Sequence, residues 1–278
     1  MLLKWKLKSW GTLKIKWFKF PVMKNKIALI SGGLGDIGQA IAIHLGKQGM
    51  RIALSDLADE AAADQQLEQL RLAGCNELLY TRADVSSGEE VTAWLDKVEA
   101  TWGIPQVVVA NAGIVVAGKL TELYVKEVQK QMDVNFWGSY HTAVQAAQRM
   151  KKAGLPGRIV FIGSWAAERP NARISSYCLS KAAVRMLCKT LALELAADHI
   201  LVNEIAPGIV EGGLSKKNQQ KDPALLQTHL DSIPMHTLVT VEEVAAHVGM
   251  LCSFSHMNIT GTTLLVDGGL SLTSKMTP

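Results

Sequence analysis

Tyr177 and Lys181 stand four residues apart in the run Ser176-Tyr177-Cys178-Leu179-Ser180-Lys181. In a helix that spacing puts both side chains on one face, with Cβ atoms about 5–6 Å apart. A free phenol titrates at about 10 and is a poor base at neutral pH. A neighbouring ammonium favours the phenolate and lowers that value. A tenfold change in ionisation takes about 1.4 kcal/mol, so bringing a Tyr near neutrality takes several kcal/mol of local field. A phenol poised in this way passes a proton to or from an alcohol or carbonyl oxygen. The same spacing is common on solvated helix faces, so the pair carries chemistry only if the chain also supplies a hydride carrier.

The amino-terminal half has the features of a dinucleotide site. Lys26 to Ser31 reads as a buried strand that runs into Gly32-Gly33-Leu34-Gly35-Asp36-Ile37-Gly38 and then into a helical pattern through Ile41, Leu45 and Gln48. Strand, glycine-rich turn and helix in that order let the backbone approach a pyrophosphate seated on the helix N-terminus. A second strand, Arg51 to Ser55, ends at Asp56. An acid at that place accepts hydrogen bonds from both ribose hydroxyls and repels a 2′-phosphate. Leu57 and Ala58 follow it, with no basic residue to offset the charge, so NAD is favoured over NADP.

Together these residues resemble the short-chain dehydrogenase/reductase family, over roughly Lys24 to Leu270. Ser31, Gly32 and Gly38 match the family's glycine pattern, Asp84-Val85 its adenine-side Asp, and Asn111-Ala112-Gly113 the turn after its fourth strand. Asn135, Ser164, Tyr177 and Lys181 match its catalytic tetrad, with the Ser thirteen residues before the Tyr. Pro207-Gly208 and Val266-Asp267-Gly268-Gly269 also match. The resemblance implies a doubly wound α/β sheet of Rossmann type in one domain. It implies a cofactor held by Ser31, Gly32, Gly35, Asp36, Ile37, Gly38, Asp56, Asp84, Val85, Asn111, Ala112, Gly113, Tyr177, Lys181, Pro207, Gly208 and Val210. The implied reaction is hydride transfer between NAD(H) and a small secondary alcohol or ketone. Tyr177 serves as acid or base, Lys181 lowers its pKa and bonds the ribose, Ser164 donates to the substrate oxygen, and Asn135 holds a relay water. The family commonly assembles as homotetramers through its long helices, and Val184, Leu187, Leu191 and Leu195 permit that or simple packing on the sheet.

Two positions depart from the pattern. Asp36 stands where relatives often have Gly; its side chain is expected to cap the helix and point away from the pyrophosphate. Gly212 stands where many relatives carry a Thr that bonds the nicotinamide amide, and Ser215 is a candidate substitute.

The 278 residues and 48% hydrophobic content suit one domain with a sheet buried on both faces, and the strands read as apolar runs. The expected strands lie near 26–31, 51–55, 77–83, 106–110, 158–163, 200–205 and 263–266. Helices are expected near 36–48, 59–73, 87–102, 121–132, 133–153 and from Tyr177 to about Ala197. Ile209 to about Pro234, with Lys216, Lys217 and Asp222-Pro223, reads as a lid. Trp165, Glu168, Arg169, Asn171 and Arg173 offer substrate contacts, Trp165 being equally readable as core. Cys75, Cys178, Cys188 and Cys252 lack metal-ligand spacing and read as reduced thiols of a cytoplasmic protein. The seven His form no ligand motif, so no metal is expected.

Eight positive charges lie before Ile27, so the rest of the chain carries −4 against +4 for the whole. Lysines interrupt every apolar run there, which leaves no signal peptide and no membrane span. Residues 1–22 therefore read as a basic extension, disordered or foreign to the native chain, before a domain at 23–278. Two rival functions remain open. One is a 3-oxoacyl-thioester reductase using NADPH, which Asp56 disfavours. The other is a vestigial nucleotide-binding module whose basic, Trp-containing leader binds nucleic acid or lipid.

Overall fold

Apolar runs with helical segments between them leave only one economical arrangement, a parallel sheet covered on both faces. The computed structural model has that arrangement and describes residues 23–213, 223–255 and 258–273. The leader, Ser215, Lys216, Lys217 and Asp222 lie outside the described residues. The chain runs β1 (Ile27–Ser31), α1 (Asp36–Lys47), β2 (Arg51–Asp56), α2 (Glu60–Leu72), β3 (Leu78–Arg82), α3 (Gly88–Trp102), β4 (Val107–Ala110) and α4 (Val125–Met132). It continues through α5 (Gly138–Lys152), β5 (Gly157–Ile162), α6 (Ser175–Leu195), β6 (Ile200–Pro207), β7 (Val210–Glu211), α7 (Pro223–Ser232), β8 (Val239–Thr240), α8 (Val241–Cys252) and β9 (Thr263–Val266).

The large sheet has the order β3-β2-β1-β4-β5-β6-β9, and every pairing in it is parallel. Strand order reverses between β1 and β4, whose register sets Ala28 against Val107. A crevice opens beyond the carboxyl ends of strands at such a switch point. Alternation along the strands sends Ile30 and Leu54 into one core layer with Ile41, Leu45 and Val248, and Leu29 and Val108 into the other with Trp94, Phe161 and Val184. Both layers are closed to solvent, and so all five residues of β1 are buried.

Local sequence explains the helix boundaries. The Ser87 hydroxyl accepts the Glu90 N–H and starts α3, with Glu89 and Glu90 in the positive first turn. Thr240 and Glu243 form a capping box at α8. The expected helix at 121–132 begins only at Val125, and the one at 133–153 is split. Asp133–Trp137 is a single π-helical turn and α5 starts after it. Val184, Leu191 and Leu195 are buried and Leu187 packs against the same cluster, so on α6 these positions serve the sheet. No described helix is long and apolar enough to cross a membrane.

Candidate active site

The catalytic helix is fastened by polar groups on its buried side. On α6, Ser176 and Ser180 flank Tyr177 and Lys181, and all but Tyr177 are buried. Ser176 donates to Gln131 Oε1, whose amide donates to the Ile114 carbonyl at 2.9 Å. Asn135 donates to that same carbonyl at 3.0 Å and to Ser180 Oγ at 2.9 Å, while its Oδ1 accepts the Ile114 N–H at 2.8 Å. The π turn, the segment after β4 and α6 are thus locked together through one backbone residue. Single π turns often occur at functional sites because the extra residue redirects a side chain, here Asn135. Both amide hydrogens of Asn135 are committed, so the expected relay water must donate to it, at an Oδ1 lone pair or at its backbone carbonyl.

Gly113 leaves the gap between Asn135 and Lys181. A Cβ there would lie 3.4 Å from Asn135 Oδ1 and 3.7 Å from Lys181 Nζ. Lys181 donates to the Ile162 carbonyl at 2.7 Å, and its Nζ is 5.6 Å from the Tyr177 ring centre. Ser164 follows β5; its Oγ accepts the Ala166 N–H at 3.1 Å and lies close enough to the Tyr177 hydroxyl to favour its ionised form.

The electrostatics correct one expectation. Loss of water around its hydroxyl pushes Tyr177 up to about 12, against a smaller lowering by the Ser164 bond. Burial likewise pushes Lys181 down to about 8, opposed by the carboxylate of Glu204. Desolvation penalises the charged form of each group and outweighs the attraction that proximity alone would supply. The protein by itself therefore holds a neutral phenol.

Tyr177, Lys181 and Ser164 line an open cleft of about 1530 Å³ that reaches the switch point. Gly32, Gly35, Asp36, Ile37, Gly38, Asp56, Asp84, Val85, Asn111, Ala112, Gly113, Pro207, Gly208 and Val210 share its wall. Ser31 and Asn135 do not: both are buried behind it. Ser31 Oγ accepts the N–H groups of Asn111 and Ala112 and braces β1 to the end of β4, which corrects its expected role as a direct cofactor ligand.

The wall fits a dinucleotide. Gly32 has φ +63°, and a Cβ there would sit 2.9 Å from Ala112 Cα; at Gly38 it would sit 2.2 Å from the Gly32 carbonyl oxygen. Helix α1 begins after Gly35, which offers its first-turn N–H groups no side-chain acceptor. The Asp56 oxygens accept the Leu34 and Leu57 N–H groups at 3.0 and 2.8 Å, holding the carboxylate against the glycine turn with lone pairs to spare for hydroxyls.

Residues 33–271 match a family model described as enoyl-(acyl carrier protein) reductase. The chain is a short-chain dehydrogenase/reductase. It is 33% identical to glucose 1-dehydrogenase 2 of Bacillus subtilis (strain 168), over 90% of this chain and 96% of that one. It is 34% identical to 3beta-hydroxysteroid dehydrogenase 1 of Eggerthella lenta, over 90% and 95%. A gluconate 5-dehydrogenase from Burkholderia cenocepacia J2315, solved with NADP and tartrate, superimposes with a TM-score of 0.83 at 29% identity, over 90% and 96%. This short-chain dehydrogenase/reductase is thus an oxidoreductase that works with a nicotinamide cofactor.

Within the dehydrogenase, Asp36 makes no cap of its own helix and does not turn away from the cleft. It lines the cleft and accepts the Gly213 N–H at 2.9 Å. Trp165 is core: it packs with Ala166, Ile209, Ile233 and Leu270 beneath Tyr177. Arg169 donates to the Leu270 carbonyl at 2.7 Å, Glu168 pairs with Arg185, and Asn171 accepts the Arg173 N–H, so this loop's polar groups brace the fold. Sequence reasoning does not find Ile114, the backbone hub, or Lys126 and Lys130, which line the cleft from α4. The four-residue spacing of those lysines is the available signal. Among the described residues all four cysteines are free thiols, and no group of His, Cys, Asp and Glu could hold a metal.

Proposed function

We propose that the chain transfers a hydride between NAD(H) and a secondary alcohol or its ketone, with Tyr177 moving the proton. The observation that carries this reading is the convergence of Ser164, Tyr177 and Lys181 on the wall of the cleft shared with the glycine turn and Asp56. The cofactor supplies or accepts the hydride, and the positive charge of its oxidised ring favours the phenolate. In reduction, neutral Tyr177 would give its proton to the carbonyl oxygen, and in oxidation the phenolate would take the proton from the alcohol. Ser164 Oγ already accepts the Ala166 N–H, so its own hydrogen is available to Tyr177 or to the substrate oxygen. An ammonium has three donors, and Lys181 spends one on the Ile162 carbonyl. The others serve the nicotinamide ribose and a water. Asn135 positions the π turn against α6.

Asp56 supports NAD over NADP, although the gluconate 5-dehydrogenase neighbour was solved with NADP. The relatives are named for a sugar and a steroid alcohol, and the substrate of this chain belongs to the broad class of small alcohols and ketones. The description of the matching family model favours acyl-thioester chemistry as a second reading; comparing turnover with NADH and NADPH on a 3-oxoacyl thioester and on simple ketones separates the two. Free thiols fit a reducing, cytoplasmic setting. Self-association is supported by Leu179, Met186 and Leu193, exposed on α6 at intervals of seven residues, and light scattering of the purified chain tests it.

The central test is Tyr177→Phe in an NAD-linked alcohol screen. Turnover is expected to fall by at least about a hundredfold while NADH still binds. Retained turnover overturns the assignment.

A further inference from the structure

Glu204 is a fully buried carboxylate in the middle of β6, and the reaction just described does not use it. Its Oε2 accepts the Arg185 Nε–H at 2.9 Å and the Thr263 hydroxyl at 2.6 Å. Its Oε1 has no hydrogen-bond partner among the described residues. That oxygen lies directly beneath the residue before Ser164: a Cβ on Gly163 would fall 1.8 Å from it. Arg185 stands on α6 one turn beyond Lys181 and two beyond Tyr177. It donates to the Ser164 carbonyl at 3.1 Å and to Glu168 at 3.3 Å.

A buried ion pair is a weak device for stability, because apolar residues of similar size often do as well or better. What this pair supplies is a place and a sign. It grips the backbone of Ser164, which lines the cleft with Tyr177, and it alternates in charge with Lys181, so two cations and two carboxylates (Glu168, Arg185, Glu204, Lys181) lie behind the site. Without Glu204, the Lys181 ammonium and the Arg185 guanidinium would be left with only the half-exposed Glu168.

We propose that the Arg185–Glu204 pair is a positioning element of the active site, Arg185 fixing Ser164 through its carbonyl and Glu204 holding a negative charge behind Lys181. This rests on the roles given above to Ser164, Tyr177 and Lys181. The titratable and charged groups facing Lys181 are Tyr177 on α6 and Glu204 on β6; Arg185 lies one turn further along α6 and is paired with Glu204 and Glu168. Thr263 on β9 and Asn135 in the π turn are neutral. Lys181 bonds the carbonyl of Ile162, the residue before the Gly163 against which Glu204 Oε1 packs, and in keeping with that placement Glu204 opposes the effect of burial on Lys181.

The test is an NMR titration of the Lys181 side-chain nitrogen in the full chain labelled with 15N-lysine, with Lys181→Met used to assign the signal. In Glu204→Gln the titration midpoint is expected to fall by about one pH unit or more. Arg185→Met/Glu204→Met replaces the pair by apolar side chains and covers the case in which Glu204→Gln folds poorly; a fall in the same direction is expected there, smaller because the Arg185 cation leaves with the carboxylate. In Arg185→Met alone, kcat is expected to drop about tenfold or more, with the NADH Kd unchanged. A midpoint that stays at the wild-type value in a folded Glu204 variant overturns the role of Glu204. Unchanged kcat in Arg185→Met overturns that of Arg185. The midpoint is read without turnover, so it stands or falls separately from the Tyr177→Phe result.

Discussion

The carboxylate of Asp36, at the first position of α1, accepts the backbone N–H of Gly213 at 2.9 Å. Gly212 beside it has φ +137°, and a Cβ there would lie 3.3 Å from the same Asp36 oxygen. The two departures from the family pattern are therefore one contact. An acid has entered the phosphate-binding turn where a side chain has left the segment after Pro207-Gly208, and it occupies the space beside the missing group. This contact ties the segment after β7 to the glycine turn.

It follows that Asp36→Asn keeps the contact through its carbonyl oxygen but removes a negative charge from beside the diphosphate site. Two like charges at about 4 Å repel by about 1 kcal/mol even in water. The NADH Kd is expected to fall several-fold in a fluorescence titration, and the gain is expected to shrink at high salt. A weaker Kd would show that the charge of Asp36 serves binding instead of opposing it.

Much of this site is legible in the sequence, for physical reasons. The glycine turn can be read because backbone packed on backbone admits no Cβ, as Gly32 and Gly38 demonstrate. The spacing of Ser164, Tyr177 and Lys181 can be read because Ser164 follows a strand end and the other two lie on one helix face. Other features depend on partners distant in sequence. The π turn around Asn135 is set by its bonds to Ile114 and Ser180, and nothing in the local run marks it. Glu204 interrupts an apolar strand, and only the position of Arg185 and the absent side chain of Gly163 make its burial intelligible. The field at Tyr177 is the opposite of what the spacing suggests, because spacing reports proximity and says nothing of desolvation.

Lys181 makes the stability of the cofactor-free protein depend on pH. Its folded value, about 8, lies below the ordinary 10.5. The unfolded chain therefore binds the extra proton between those values, and the cost of holding Lys181 is present below pH 8 and relieved as pH rises. Lys181→Met removes this dependence. Its stability relative to wild type, from urea denaturation, is expected to decline by about 2 kcal/mol between pH 7 and 9.5. Taking the change with pH cancels the constant loss of the bond to Ile162. A difference that does not vary with pH would mean that Lys181 is not desolvated.

Gly38 leaves no room for a methyl group. Its Cβ would meet the Gly32 carbonyl oxygen at 2.2 Å and Gly33 Cα at 2.9 Å, and both neighbours are backbone. Gly38→Ala must shift the turn off α1, at a cost of about 1–3 kcal/mol. NADH affinity should fall at least about tenfold, since the N–H groups that face the diphosphate move with the turn. Thermal melts with and without NADH separate the two effects.

Ser176 tests the brace behind the tetrad. Ser176→Ala leaves buried Gln131 Oε1 without its donor, at an expected cost of about 1–3 kcal/mol. Ser176→Ala/Gln131→Leu removes both partners and should recover part of that cost. It also takes away one of the donors on the Ile114 carbonyl, so kcat is expected to stay low. Full recovery of kcat along with stability would mean that the brace serves only the fold.

The cofactor ratio tests the reading of Asp56 as the NAD-selecting residue. Its carboxylate is held by two backbone N–H groups, so it cannot swing away from a 2′-phosphate, and Leu57 and Ala58 beside it bring no positive charge. Asp56→Ser keeps an acceptor for Leu34 and removes the charge. Relieving that repulsion by about 2 kcal/mol raises the kcat/KM ratio of NADPH to NADH about thirtyfold. Most of the change should appear in the KM for NADPH, because the substitution lies away from Tyr177 and acts on binding in the ground state and transition state alike. A ratio that already favours NADPH in the wild-type enzyme would transfer the preference to other cleft residues, with Lys126 and Lys130 on α4 as the basic side chains to substitute next.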